Sequence, residues 1–335
     1  MTPLIFVYDG LLPEYSFYSI DLINKLSKKK IILLITKNNK KIPKRVEHHY
    51  IEDFYEGNLS KKINFSNYHK KFWNGFWIKT IERFFILESF CKYFKIENFF
   101  HAEFDNIVFD IESLGKKLDK YGKKIFFTKD RFDRGMAGFI YINSINFLRQ
   151  FCNFCLENLK KKYFIDFQLL GNFSNLYREK CIILPNELHA FQNEKISFKS
   201  LDPLEIDGII DGARIGAYLF GDDPRIVNGF VFNMVQPIGI DNKTNFNYSD
   251  LRFIYSNSKK KLLIQHKITN KSFKIYNLHV HSKLFKKISK DKYFIKIINK
   301  INSSEKTLMT LNLKNMFKNI LASLYFRFSK NKTIN

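Results

Sequence analysis

No stretch of this 335-residue chain is long and uncharged enough to span a membrane. The opening run, Met1-Thr2-Pro3-Leu4-Ile5-Phe6-Val7-Tyr8-Asp9, lacks the basic start and the apolar length of a signal peptide, and it reads as a first strand. Cysteine is scarce, with only Cys91, Cys152, Cys155 and Cys181. Cys152-x-x-Cys155 has no second cysteine or histidine pair at zinc spacing, and it sits among Phe147, Leu148, Phe151, Phe154, Leu156 and Leu159. A buried helix face and a reducing cytoplasm are therefore expected. The GxxxxGK[ST] phosphate loop, the GxGxxG fingerprint and the GxSxG elbow are all absent. No internal repeat or low-complexity linker is present. Acid is short relative to base: 32 Asp and Glu stand against 56 Lys and Arg, a net charge of +24. That sign favours anionic partners, whether nucleotide phosphates, acidic glycans, lipid head groups or nucleic acid.

What is present suffices for a core, since 45% of the residues are apolar. The length allows one large α/β domain or two modest ones. Leu4 to Tyr8 is an apolar run stopped by Asp9-Gly10. Phe17, Ile20, Leu22, Ile23 and Leu26 then recur near helical spacing, and Ile31 to Ile35 is a second apolar run. Strand, helix, strand in so short a span predicts a parallel βαβ unit. Ligands of such sheets bind beyond the carboxyl ends of the strands, which nominates Tyr8, Asp9, Thr36 and Lys37 as cleft residues. A plain turn at Asp9-Gly10 is the other reading. Trp73 to Phe94 is helical in pattern, with Thr80 and Arg83 on one face. Arg83 on that helix can reach a diphosphate bidentately, or it can be a solvated or structurally paired arginine. Ile125–Phe127, Ala137–Ile142 and Ile182–Leu184 read as strands, and Ser144 as the cap of a helix running through Phe151 to Leu159.

The chain is organised around Phe99-Phe100-His101-Ala102-Glu103-Phe104-Asp105-Asn106-Ile107-Val108-Phe109. Glu103 and Asp105 lie two apart between apolar runs, so they are predicted to share a face of extended chain where a strand leaves the core. Paired hard oxygens there suit Mg²⁺ or Mn²⁺, and such ions bring phosphates with them. The same spacing recurs at Asp110/Glu112 and Glu205/Asp207. Further on, Asp211-Gly212 starts a helix whose Ala213, Gly216 and Ala217 permit close backbone approach, and Gly221-Asp222-Asp223-Pro224 ends it. Asp211 is either the cap of that helix or a catalytic or acceptor-binding carboxylate. Lys274 to Lys283 reads as a strand entering a turn, with His279 and His281 alternating onto one face where they can bind a divalent metal, and with Ser282 and Lys283 beyond them to hold phosphate. Near the end, Leu313, Met316, Phe317, Ile320, Leu321, Leu324 and Phe328 recur at helical spacing beside Lys314, Lys318, Arg327 and Lys330. A core helix, a partner helix and a helix on an anionic membrane all fit; the terminal position and basic end favour the membrane.

Several blocks in this order resemble a family of bacterial GT-A type glycosyltransferases found among capsule and lipopolysaccharide clusters. They are Trp77-x-x-Thr80-x-x-Arg83-Phe84, His101-x-Glu103-x-Asp105-Asn106, Ala137-Gly138-Phe139, Asp211-Gly212-Ala213-x-Ile215-Gly216-x-Tyr218-Leu219-x-Gly221-x-Asp223-Pro224-Arg225, and Asn277-Leu278-His279-Val280-His281-Ser282-Lys283. The resemblance covers about residues 3 to 290 and implies a GT-A (Rossmann-like) α/β fold, a mixed, mainly parallel sheet flanked by helices. Residues 1–300 would form the catalytic domain and 301–335 a basic amphipathic helical tail. It also implies metal-dependent transfer from a nucleotide sugar, UDP-, GDP- or another, to a glycan or lipid-linked acceptor of a growing capsule or lipooligosaccharide. The place of action would be cytoplasmic, peripheral on the inner face of the cytoplasmic membrane. Carried over, Asp105 is the principal Mn²⁺ or Mg²⁺ ligand, Glu103 its helper, and His279 or His281 the late ligand. Asp211 would be the general base of an inverting enzyme, and Arg83 and Lys283 the cations facing the leaving diphosphate. A basic nucleic-acid-binding protein is the second reading, against which stand the scatter of lysine along the chain and the lack of a recognised module. A silent glycan-binding scaffold is the third.

Overall fold

The computed structural model describes residues 2–26, 32–37, 39, 41–57, 59–65, 70, 75–161, 164–191, 198–221, 248–256, 258 and 260–303. Its strands are β1 (Leu4–Tyr8), β2 (Ile32–Thr36), β3 (Glu47–Tyr50), β4 (Phe99–Ala102), β5 (Asn106–Val108), β6 (Ile125–Arg131), β7 (Arg134–Ile142), β8 (Cys181–Ile183), β9 (Gly208–Ile209), β10 (Leu251–Ser256), β11 (Lys261–His266), β12 (Ser272–Ile275) and β13 (Asn277–His279). Its helices are α1 (Glu14–Leu26), α2 (Leu59–Lys62), α3 (Phe76–Tyr93), α4 (Ile111–Leu118), α5 (Ile145–Leu159), α6 (Asp166–Leu176), α7 (Glu187–Phe191), α8 (Pro203–Ile206), α9 (Arg214–Phe220), α10 (Phe285–Ile288) and α11 (Asp291–Ser303).

The central sheet has the order β3-β2-β1-β4-β7-β6-β8. Its pairs are parallel except where β7 runs against β4 and β6. This is the mixed, mainly parallel sheet expected from the sequence. Alternation along the strands explains the layering. Leu4 and Phe6 of β1 join Ile20 and Ile23 of α1 and Leu114 and Leu118 of α4 in one core. Ile5, between them, faces the other way, into a core with Phe84 and Phe90 of α3, Phe151 of α5 and Phe173 of α6. Cys152 and Cys155 lie in that second core, buried and free, as the apolar neighbourhood indicated. Ser144 caps α5 through Phe147 N at 3.4 Å, also as expected.

A smaller sheet, β10-β11-β12-β9, packs with α9, α10 and α11 around Phe253, Ile264, Ile215 and Phe294. The two halves are joined by the antiparallel pair β5 and β13, in which His279 stands opposite Asn106. Because β1, β4 and β6 run in one direction, Tyr8, Ala102 and Arg131 end on the same edge of the sheet. The β5–β13 pair delivers His279 to that edge.

One expectation changes. Glu103 to Asp105 are not extended chain: they form a turn between β4 and β5, closed by Asn106 N donating to Glu103 O at 3.0 Å. The apolar flanks belong to two strands, and their short loop must reverse between them. The other two acid-x-acid pairs are structural. Asp110 caps α4 by accepting from Ser113 N, and Glu205 closes a capping box with Asp202. The opening Trp73 of the helix predicted over Trp73 to Phe94, the turn beyond Gly221 and the predicted helix over Leu308 to Phe328 lie outside the described residues. Among the described residues no helix is long and apolar enough to cross a membrane.

Candidate metal and phosphate site

The turn after β4 presents its two acids because Phe104, between them, turns inward. Its ring stacks on Phe6 at 4.9 Å and meets Tyr8 edge-on at 5.9 Å. With that ring fixed in the core, Glu103 and Asp105 project into the cleft. A pair of wholly buried asparagines fastens the turn to its neighbours. Asn106 Nδ2 donates to Gly138 O at 2.9 Å, and Asn277 Nδ2 donates to Asn106 Oδ1 at 2.8 Å. The other side of Asn277 exchanges hydrogen bonds with the Asp211 backbone, at 3.0 and 3.1 Å.

Glu103, Asp105 and His279 converge so that one ligand atom from each lies within 4.8 Å of the others. His279 Nε2 is 3.1 Å from Asp105 Oδ1 and 3.7 Å from Glu103 Oε2. Ligands in adjacent positions around a small divalent ion stand roughly 3 Å apart when bonds are about 2.1 Å, so the trio is spaced to close on one ion. Its donor set, two carboxylates and an imidazole, suits Mn²⁺ better than Mg²⁺. Asp105 Oδ1 is buried and faces the His279 ring nitrogen. Gly138 keeps the space clear: a Cβ there would stand 3.0 Å from His279 Cε1 and 3.3 Å from Glu103 Oε2.

The electrostatics agree. Burial works against ionised Asp105, but His279 and Lys283 hold its pKa well below the usual carboxylate range. Burial likewise disfavours protonated His279, and the facing Asp105 carboxylate overcomes it and raises the pKa. Lys283 Nζ donates to Asp105 Oδ2, on the far side of the carboxylate from His279. The buried Ser282 Oγ makes no hydrogen bond among the described residues. His281 lies outside the trio, its ring stacked on His279 at 4.3 Å between centroids and 13° between planes. The alternation argument therefore puts the two rings side by side, while the trio takes His279.

The other expected residues sort by their contacts. Arg83 is buried and committed at both ends, Nη1 to Glu103 Oε1 and Nη2 to Asp166 Oδ2 at 2.7 Å. This is the structurally paired arginine of the sequence reading, and it aims Glu103 Oε2 at the trio. Tyr8 and Asp9 end β1 on the same edge, with Lys37 Nζ 2.5 Å from Asp9 Oδ1 and Lys79 Nζ donating to Asp9 O at 3.0 Å. Asn39 ties this loop down, accepting from Leu12 N at 2.9 Å and donating to Gly10 O at 3.1 Å.

Asp211 is wholly occupied. Oδ1 accepts from Ala213 N and Ile215 N at 2.8 and 3.0 Å; Oδ2 accepts from Gly216 N and His279 N at 2.8 and 2.9 Å. A carboxylate has about four lone-pair sites, and four amides fill them. The cap reading fits this geometry, and a general base with a free oxygen does not. Asp211 thereby sews the start of α9 to β13. Gly216 makes the approach possible, since a Cβ there would sit 2.0 Å from His279 O.

Sequence reasoning passed over a second group of buried charges. Asp166, at the first turn of α6, is pushed up to about 6 by burial against the pull of Arg83. At the end of β6, Asp130 lies 3.3 Å from Arg134, and its Oδ1 is buried without a hydrogen bond. Deeper in, Arg214 Nε is 4.0 Å from Glu187, which also accepts from Tyr248 at 2.7 Å. An acid at a helix start and a charged hairpin look like caps and solvated turns; only their distant partners mark them.

No family model matches the chain, and no curated protein matches it by sequence. Solved structures similar to it are glycosyltransferases. One is the bifunctional WbbM in its apo form, at 16% identity and TM-score 0.35, over 56% of this chain and 39% of that one, so this chain spans about two fifths of WbbM. Another is the galactosyltransferase LgtC with donor and acceptor sugar analogues, at 12% identity and TM-score 0.36, over 61% and 81%. A third is GlyE of Streptococcus pneumoniae TIGR4, at 15% identity and TM-score 0.36, over 56% and 46%.

Proposed function

We propose that the protein is a metal-dependent glycosyltransferase that moves a sugar from a nucleoside diphosphate sugar to a glycan or lipid-linked acceptor of a surface polysaccharide. The observation that carries this is the convergence of Glu103, Asp105 and His279, with Lys283 beside them, at the carboxyl edge of a mainly parallel sheet. Mn²⁺ or Mg²⁺, when bound there, supplies positive charge to the leaving diphosphate. The chain's own residues do the rest. Lys283, poised on Asp105, exchanges that carboxylate for a phosphate oxygen and adds a second positive charge. Arg83 fixes Glu103 so that its free oxygen faces the donor. Tyr8 and Asp9, at the end of β1, line the nucleoside side, and Ser282 offers its hydroxyl to the phosphates. Asp211 holds the His279 strand in place. If the reaction inverts the anomeric centre, Asp130, whose Oδ1 has no hydrogen bond among the described residues, is the carboxylate we assign to the acceptor hydroxyl.

Residues 1–300 form the catalytic domain in this proposal, and 301–335 a basic tail that lies on the anionic inner face of the cytoplasmic membrane, where lipid-linked acceptors are found. Thermal denaturation with a panel of nucleotide sugars tests the enzymatic part. One donor should raise the melting temperature when Mn²⁺ is present and not when it is chelated, because a ligand of the native state alone stabilises it. If no nucleotide sugar does so, and none is hydrolysed, the proposal is wrong.

A further inference from the structure

Immediately after Lys283 the chain turns away from the cleft into α10 and α11. From Lys286 to Lys300 it carries lysine at 286, 287, 290, 292, 296 and 300 against one acid, Asp291, so this short span is strongly basic. All six lysines are exposed. Lys286 is paired with Glu14 at 3.3 Å; the other five make no ion pair among the described residues. In α11 the buried positions are Phe294 and Ile298, with Phe294 stacked on Phe220 at 6.0 Å and edge-on to Tyr255 at 4.9 Å. Opposite them Lys292, Lys296 and Lys300 recur every four residues, so they form one row along the solvent face.

That row is tied to the neighbouring sheet. Asn302, in the last turn, grips both polar groups of one residue of the edge strand β10: Phe253 N donates to Asn302 Oδ1 at 2.9 Å, and Asn302 Nδ2 donates to Phe253 O at 2.7 Å. Beyond Ser303 the sequence carries Leu313, Phe317, Ile320, Leu324 and Phe328 at helical spacing beside further lysines. A row of exposed cations, followed in the sequence by apolar residues at helical spacing, matches a surface that offers both negative charge and hydrocarbon. An anionic bilayer offers both, whereas a nucleic acid offers nothing for the aliphatic side chains.

We infer that the exposed face of α11, with its row of Lys292, Lys296 and Lys300, is a docking surface for anionic phospholipid, so that the folded domain meets the membrane and does not hang from its tail alone. The inference extends the membrane part of the proposed function. It is read without any donor sugar, so its failure and the failure of glycosyl transfer are told apart.

The test is flotation of the full chain with vesicles of phosphatidylglycerol and phosphatidylethanolamine, with phosphatidylcholine vesicles as the neutral control. The parent should bind the anionic vesicles only, and more weakly as salt rises. Replacing all three residues together (Lys292→Gln, Lys296→Gln, Lys300→Gln) should weaken that binding on the order of 100-fold, with the melting temperature unchanged as the check on folding. Binding of the variant equal to the parent's, or no binding of the parent, overturns the inference. So does equally tight binding of duplex DNA that is lost in the same variant, which would make the row a general polyanion surface.

Discussion

Glu103/Asp105 and Asp110/Glu112 stand within ten residues of each other, share one spacing and flank the same short strand, β5. Their surroundings differ in what reaches them from far away. Asp110 accepts from Ser113 N three residues on and meets Lys274 at 3.3 Å, and Glu112 meets Lys116 one helical turn later at 3.4 Å. Every one of these partners is a cation or a backbone amide, so each charge is already satisfied. Asp105 and Glu103 instead share an imidazole from a strand more than 170 positions further along the chain, and both are also pinned by buried or half-buried cations. An unsatisfied carboxylate oxygen survives burial only where something else pays for it. The spacing of two acids is thus uninformative, and the lone pairs left over after local bonding are what mark a metal site.

The comparison breaks first at Asp105. Asp105→Ala should reduce Mn²⁺-dependent turnover by roughly 10³-fold or more, and the melting temperature should fall as well, since His279 and Lys283 lose the carboxylate that faces them. Donor hydrolysis measured beside circular dichroism decides it: turnover close to the parent's would end the metal assignment.

Asp211 sharpens the comparison from the other side, as an acid with no lone pair left. Asp211→Asn keeps the shape but turns an NH₂ toward two backbone amides that need an acceptor. We expect a loss of about 2–4 kcal/mol in stability, read as a lower urea midpoint, with kcat recovering wherever the variant is fully folded. A variant of normal stability and no turnover would mean that Asp211 acts chemically.

The histidines extend the argument to pH. Burial lowers His101 to about 3 and His189 to about 4. Between those values and about 6.5 the unfolded chain takes up protons that the native one refuses. Stability should therefore fall as pH drops below about 6.5, by about 1.4 kcal/mol per pH unit for each histidine. His279 works oppositely: its pKa is raised in the fold, so its contribution is full below about 6.5 and fades as pH rises past the native value. Mn²⁺ should remove that alkaline loss, because a metal ligand must be neutral. Urea midpoints from pH 4 to 8, with and without Mn²⁺, would reveal both arms; a flat acid limb would contradict the buried neutral histidines.

Much of this was legible in the chain. The βαβ start and the helix capped by Ser144 follow from local periodicity and turn chemistry, and the fold has them where the spacing put them; it also brings His279 to the acids at 103 and 105. The turn at Phe104 was not legible, because an inward aromatic between two outward acids has the same alternation as a strand. The roles of Arg83 and Asp211 were left as alternatives for a different reason. Whether a charged group faces solvent, ligand or its own backbone depends on partners such as Asp166 and His279 N, and no window of neighbouring residues contains them.

The smallest effect is the control that gives the first its meaning. Asp110→Ala removes the hydrogen bond to Ser113 N and one contact to Lys274 but nothing that faces the cleft. Losing a helix cap of this kind costs about 1 kcal/mol, and the contact to Lys274 adds little because Asp110 is partly exposed. The melting temperature should fall by a few degrees at most, while Mn²⁺ affinity and turnover stay at the parent's values. The pair of variants, Asp105→Ala and Asp110→Ala, then part on turnover and Mn²⁺ affinity while both stay folded by circular dichroism. A common origin in general misfolding cannot produce that difference. If Asp110→Ala lost turnover as well, the distinction between the two acid pairs would be unfounded, and β5 itself, the strand they flank, would be the element on which activity depends.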